Sequence, residues 1–147
     1  NFANNAKLRI VGEGESRKIL EECISKSEVR SAIELAGPRE DMPRVYQEFS
    51  IFVMSSLGEG IPMTLLEAMS CGIPPIVTDV GGMPEVVAKQ AGIIVPSKNA
   101  HAMANAFIQL YQETSLHDAM VKASRELIQK NFDEEKMVSD YLSLYRH

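Results

Sequence analysis

No apolar run in this sequence approaches the ~20 residues that a membrane-spanning helix needs. The longest, IFVM at 51–54 and GIIV at 92–95, hold four residues each. No secretory leader opens the chain either, so the expectation is a cytoplasmic protein without a membrane span. Basic charge is also scarce: 15 Lys and Arg face 20 Asp and Glu, for a net charge of −5. The cations are scattered, which excludes the basic stripe that nucleic acid demands. Cys23 and Cys71 stand in separate segments without a CxxC, and His101, His117 and His147 lack partners at metal-ligand spacing. No metal site or disulfide is therefore expected; both thiols read as reduced and the histidines as surface residues of a helical third. GEGES at 12–16 lacks the third glycine of a dinucleotide fingerprint, and no GK[ST] phosphate loop occurs. No repeat, low-complexity tract or linker interrupts the chain.

What is present is an ordinary globular composition, 45% hydrophobic and 24% charged, in 147 residues. Such a chain buries roughly 70% of its unfolded surface, and a single domain over 1–147 is expected. Short β-rich runs alternate with helical periodicity. KLRIVG at 7–12 precedes a helical pattern over 16–26, in which Ile19, Leu20, Cys23 and Ile24 recur at three and four residues. A strand over 33–36 ends at Gly37-Pro38, and a short helix follows with Asp41 capping and Pro43 in its first turn. IFVM reads as a strand buried on both faces, followed by the helix PMTLLEAMS. PPIVT leads to PEVVAKQ, GIIVP leads to a helix over 99–113, and the remainder is helical with a break at 131–133. Repeated βα units of this period predict an α/β, Rossmann-like open parallel sheet with helices on both faces.

Ligands of such sheets sit beyond the carboxyl ends of the strands. Here those ends carry GEGE, GPRED, SSLGEGIP and DVGG. The stretch EGIPMTLLE places Glu59 and Glu67 on either side of seven residues, around a helix start. Pro62 suits a first helical turn, which leaves the amides of Met63, Thr64 and Leu65 unpaired and turned toward the sheet edge. A helix N-terminus binds phosphate through such amides without a basic side chain. Glu67 returns to the Met63 face about 6 Å further along, where it can accept hydrogen bonds from vicinal hydroxyls such as those of a ribose. Glu59 precedes the helix on the other side of the phosphate. By spacing alone, the plainer assignment of a solvated loop acid and a helix-surface acid stays open.

SSLGEGIPMTLLEAMSCGIPPIVTDVGGMPEVV resembles the signature segment of the group 1, or family 4, retaining glycosyltransferases. That segment belongs to the C-terminal nucleotide-sugar domain of the GT-B fold. The likeness rests on the E-x7-E pair, EAM-x-x-G at 67–72, GIPPIVT and GGMPEVV. LRIVGEG, GPREDMPRVYQ and GIIVP extend it over essentially the whole chain. It implies a nucleotide-diphosphate sugar as substrate, with no cofactor and no metal, since no DxD motif occurs. It implies Glu67 on the ribose and Glu59 at the catalytic position against the donor-sugar hydroxyls. Gly60, Ile61, Pro62, Met63, Thr64 and Leu65 would meet sugar and distal phosphate, and Pro38 and Arg39 the base, largely through backbone. Gly81 and Gly82 face the cleft or form a flexible turn. Retention is discussed in this family as front-face displacement, so Glu59 orients the sugar and need not be a nucleophile.

The same resemblance implies missing parts. Phe49-Ser50 replaces the usual Ala/Ser-Asp, a packing or capping change. Family members carry, ahead of LRIVG, a central strand and helix whose Arg and Lys neutralise the diphosphate, and before these an acceptor-binding domain. This chain is expected to lack them, to bind donor weakly, and not to transfer sugar alone. The gap would expose strand edges for another chain, a second copy or a swapped element to cover. The rival expectation is a non-catalytic nucleotide-sugar binding or interaction module. The implied pathway is assembly of a surface polysaccharide or glycolipid, at the inner face of the membrane in the full-length enzyme.

Overall fold

The computed structural model describes residues 6–132 and 134–145, residue 89 in its backbone alone. Contacts divide the chain at Arg44/Val45 into two compact units.

In the first unit, β1 (Leu8–Val11) and β2 (Ile33–Gly37) pair in parallel, joined by α1 (Arg17–Ser25) and a 3₁₀ turn over Arg30–Ala32. Leu8 faces Ile33 and Ile10 faces Leu35, and the register slips before Val11 meets Gly37. Arg9 and Glu34, opposite one another in that register, form an ion pair at 2.8 Å. Leu20 and Ile24 of α1 are half-buried while Ile19 is exposed. The helical period at 16–26 is thus real, with a narrower apolar seam than its four residues suggested. The short helix α2 (Met42–Tyr46) carries the boundary between the units. Asp41 does not cap it with its side chain. Its carboxylate holds the Arg39 guanidinium through two hydrogen bonds of 2.7 and 2.6 Å, and only its carbonyl accepts the Arg44 amide.

The second unit contains a three-stranded parallel sheet in the order β3 (Phe52–Met54), β4 (Pro75–Thr78), β5 (Ile93–Val95). The described parallel strands form two separately bonded sheets; alternation alone implied one, while the resemblance implied a missing central strand between β1 and β3. Among the described residues, β1 and β3 each have one hydrogen-bonded neighbour. β3 was expected to be buried on both faces, but Val53 is 40% exposed because β3 lies at the edge of its sheet. The doubly covered strand is β4, all four residues of which are buried.

Alternation along β4 sends neighbouring side chains to opposite faces. Val77 joins a core with Leu65 and Met69 of α3 (Met63–Ser70), Met83, Val86, Val87 and Ala91 of α4 (Met83–Ala91), and Ile128. Ile76 joins a second core with Val95, Ala106 and Leu110 of α5 (Ala100–Gln112), and Met120. The 18-residue α6 (Thr114–Asn131), about 27 Å long, supplies Met120 to one core and Ile128 to the other. Helices thus cover both faces, as the βα pattern required. Each fully buried Leu, Val or Met contributes roughly 1.5–3 kcal/mol against exposure. α7 (Glu134–Leu144) follows the break after Asn131, of which Asp133 lies outside the described residues. Asn99 caps α5, its side chain accepting the Ala102 amide at 2.9 Å. His117, expected as a plain surface residue, is tied across the unit by an Nε2 to Ser50 carbonyl hydrogen bond of 2.9 Å.

One backbone position in α4 is out of keeping with its residue type. Ala88 adopts φ 43°, ψ 152° inside the helix, a conformation natural to glycine. The Ala91 carbonyl just beyond the kink accepts the buried Ser124 hydroxyl at 2.8 Å. Ala88→Gly is expected to stabilise the chain by about 1 kcal/mol, relief of strain exceeding the added chain entropy. Urea denaturation checks this; an unchanged or lower midpoint counts against strain at that site.

Candidate functional site

The site assembles in the second unit from the loop after β3, the start of α3 and the turn after β4. Pro62 occupies the cap position of α3 in extended conformation (φ −74°, ψ 126°), and the helix begins at Met63. That is one residue later than expected. Leu65 does not offer a free amide, because it donates to the Pro62 carbonyl at 3.1 Å, and Leu66 donates to the same oxygen at 3.4 Å. The tightened first turn leaves Met63 and Thr64 as the amides that open the helix. Leu65 instead turns a fully buried side chain into the core, while Gly60, Ile61, Met63 and Thr64 are exposed.

Glu59 and Glu67 flank this helix start, and each is held by a neutral hydroxyl. Ser56 Oγ donates to Glu59 Oε1 at 2.7 Å, and the Ser56 carbonyl accepts the buried Thr78 hydroxyl at 2.6 Å. β4 therefore reaches under the loop and fixes the residue that orients Glu59. On the other side, Tyr46 donates to Glu67 Oε2 at 2.8 Å. Neither partner was foreseen: Ser56 sits in the quoted loop without a motif role, and Tyr46 lies 21 residues upstream of its acid. A carboxylate offers about four acceptor positions, so one hydroxyl leaves each acid able to bind further donors. Among the described residues, no group of three or more His, Cys, Asp and Glu could hold a metal ion, and no helix is long and apolar enough to cross a membrane.

The turn at Gly81 and Gly82 packs against the loop that carries Glu59. Gly82 donates its amide to the Gly60 carbonyl at 3.1 Å, and a Cβ at Gly81 would collide with the Glu59 carbonyl. The turn after β4 thus backs the very residues that carry the first acid. Pro38 and Arg39 belong to the first unit, where both are exposed. The Arg39 partnership keeps the Asp41 carboxyl below its ordinary range, chiefly through their hydrogen bonding.

Burial, reinforced by the carboxylate of Glu67, raises the Tyr46 phenol well above the ordinary tyrosine value. Cys71 adds a smaller push in the same direction. The folded chain keeps this proton when the unfolded chain sheds it. The contribution is therefore complete below pH ~10 and is lost as pH climbs toward the raised folded value. Urea midpoints taken at pH 9 and pH 11 should fall more for the wild-type chain than for Tyr46→Phe. Parallel losses in the two proteins would contradict it.

The family model described as "Glycosyl transferases group 1" matches residues 1–113. Among curated relatives, N-acetyl-alpha-D-glucosaminyl L-malate synthase of Bacillus anthracis is 30% identical over 142 residues, covering 96% of this chain and 37% of the relative. The putative colanic acid biosynthesis glycosyltransferase WcaL of Escherichia coli K12 is 31% identical over 150 residues, covering 94% and 36%. This chain thus spans little more than a third of the length of these two relatives. Among solved structures, Anabaena HepE in complex with UDP superposes with a TM-score of 0.87 at 19% identity, over 95% of this chain and 41% of that one. With the family match extending over both units, the chain belongs to the group 1 glycosyltransferases and forms part of a GT-B fold.

Proposed function

We propose that this chain is the donor-binding part of a retaining glycosyltransferase that takes its sugar from a nucleotide-diphosphate sugar. The observation that carries this is the pair of carboxylates held on either side of one helix start, each by a hydroxyl that leaves its charge intact. Glu67 accepts the ribose diol, and Glu59 accepts donor-sugar hydroxyls. The Met63 and Thr64 amides, with the Gly60 to Pro62 backbone leading to them, meet the diphosphate. The segment 59–67 contains no Lys or Arg, so the helix dipole supplies its positive potential. Pro38 and Arg39, in the first unit, are assigned to the base on the family resemblance alone. No metal or cofactor is assigned to it. The UDP named in the HepE complex supports a nucleotide ligand by likeness of fold.

The acceptor site belongs to the remainder of a longer polypeptide, in keeping with the share of its relatives that this chain spans. That remainder, or a second copy, also covers the edges of β1 and β3. The working place is the cytoplasm, at the inner membrane face for the whole enzyme, in assembly of a surface glycan or glycolipid. By itself the chain binds donor without transferring sugar, since charge on a leaving diphosphate calls for cations that the 59–67 segment lacks. Calorimetric titration with UDP-, GDP- and ADP-sugars tests this. One nucleotide class should bind, Glu67→Ala should weaken it at least tenfold, and no free nucleoside diphosphate should accumulate. Binding with turnover would overturn the inactivity of the isolated chain. Equal binding by Glu67→Ala would remove that acid from the site.

A further inference from the structure

We infer that Tyr46 is a positioning residue, which fixes the Glu67 carboxylate in the rotamer that receives the ligand diol. This rests on the assignment of Glu67 to that diol. Tyr46 closes α2 and is 2% exposed. Its ring packs edge-on against Phe49 (6.4 Å between centroids, 81°) and Phe52 (6.5 Å, 65°). These two rings hold the Tyr46 ring, and with it the hydroxyl, in place. The hydroxyl lies 2.8 Å from Glu67 Oε2 and 3.4 Å from the Thr64 carbonyl, and a phenol has one proton to give. The shorter contact, to the charged acceptor, takes it.

Glu67 itself is exposed on α3, where a free glutamate samples several rotamers and loses that freedom on binding. The rigid phenol meets part of this loss before a ligand arrives. A lysine or arginine in its place would fix the side chain too, but would draw on the charge that the diol must share. A neutral donor bound to Oε2 leaves Oε1 and the remaining lone pairs to two hydroxyls. Phe49 helps to wall the phenol in.

The test compares wild type, Tyr46→Phe and Glu67→Ala in calorimetric titrations with UDP, GDP and ADP and with their 2′-deoxy forms. Tyr46→Phe keeps the ring and should weaken the bound ribonucleotide by roughly tenfold. It should leave the weaker 2′-deoxy ligand nearly unchanged, so that the preference for ribose shrinks. A merely structural role would weaken both ligands equally, and that result overturns the inference. Loss in Glu67→Ala with no effect of Tyr46→Phe also overturns it while leaving the diol assignment standing. No effect of Glu67→Ala overturns the assignment itself. A measurement independent of any variant is the three-bond coupling pattern of the Glu67 methylenes in the free wild-type chain. One dominant rotamer is expected, and rotamer averaging there refutes the positioning role.

Discussion

Gly81→Ala is expected to cost about 3 kcal/mol of stability and to disable the site together with it. Two effects add. Gly81 has φ 54°, which an alanine tolerates only at a cost of about 1–2 kcal/mol. Its new Cβ would also press into the Glu59 carbonyl, a backbone atom that cannot swing aside like a side-chain end. Either the turn after β4 or the loop at 59–60 must shift, and the hydrogen bond from the Gly82 amide to the Gly60 carbonyl joins them. The displaced residue is the first acid of the pair, so the nucleotide-sugar binding proposed for it should weaken along with stability. Gly58→Ala is the matched control. It lies in the same loop with open space around its Cβ position, and should change stability by less than about 1 kcal/mol. Denaturation midpoints of the two variants decide the matter: equal small losses would mean that the glycine turn does not back the loop.

That turn marks where sequence reading stops. The order of strands and helices was legible because each βα unit announces itself locally, by a short apolar run and then a change of period. PIVT and IFVM looked equally apolar, yet β4 is buried throughout while Val53 of β3 is half open. Apolar content alone does not separate a central strand from an edge strand, since place in the sheet depends on pairing with distant segments. The site showed the same divide. The E-x7-E spacing and the proline before a helix are local signals, and they located Glu59, Glu67 and the helix start to within one residue. Tyr46 acts on Glu67 from 21 residues away, and Thr78 acts on Ser56, the partner of Glu59, from 22, through side chains with no motif of their own. Leu65 carried an ambiguous signal: its position near the helix start suggested a free amide, but the 3₁₀-like first turn uses that amide internally. Alternation gave no sign of the split of the parallel strands into two sheets; only the resemblance implied an interruption between β1 and β3.

Leu65→Ala should be the most damaging single substitution in the site helix, through packing and not through ligand contact. The side chain is fully buried among Met69, Val77, Met83, Val86 and Val87, beneath the turn whose amides face outward. Truncation removes three carbons and leaves a cavity that α3, α4 and β4 cannot all move to fill. A loss of about 3–4 kcal/mol is expected. For a chain of this size that corresponds to a fall in melting temperature of about 10 °C or more. Leu65→Met keeps the volume and should cost less than about 1.5 kcal/mol. Thr64→Ala, one residue earlier and exposed, should fall within about 0.5 kcal/mol of wild type. The contrast between adjacent positions is the informative quantity. A uniform response at 64 and 65 would show that α3 is not anchored through Leu65. The expected steep contrast would show that the helix start is held from beneath by the core, and that the two acids are held from either side by hydroxyls. Rigidity of that kind would serve the ligand binding proposed for this segment, since neither the amides nor the carboxylates would then have to be ordered when a ligand arrives.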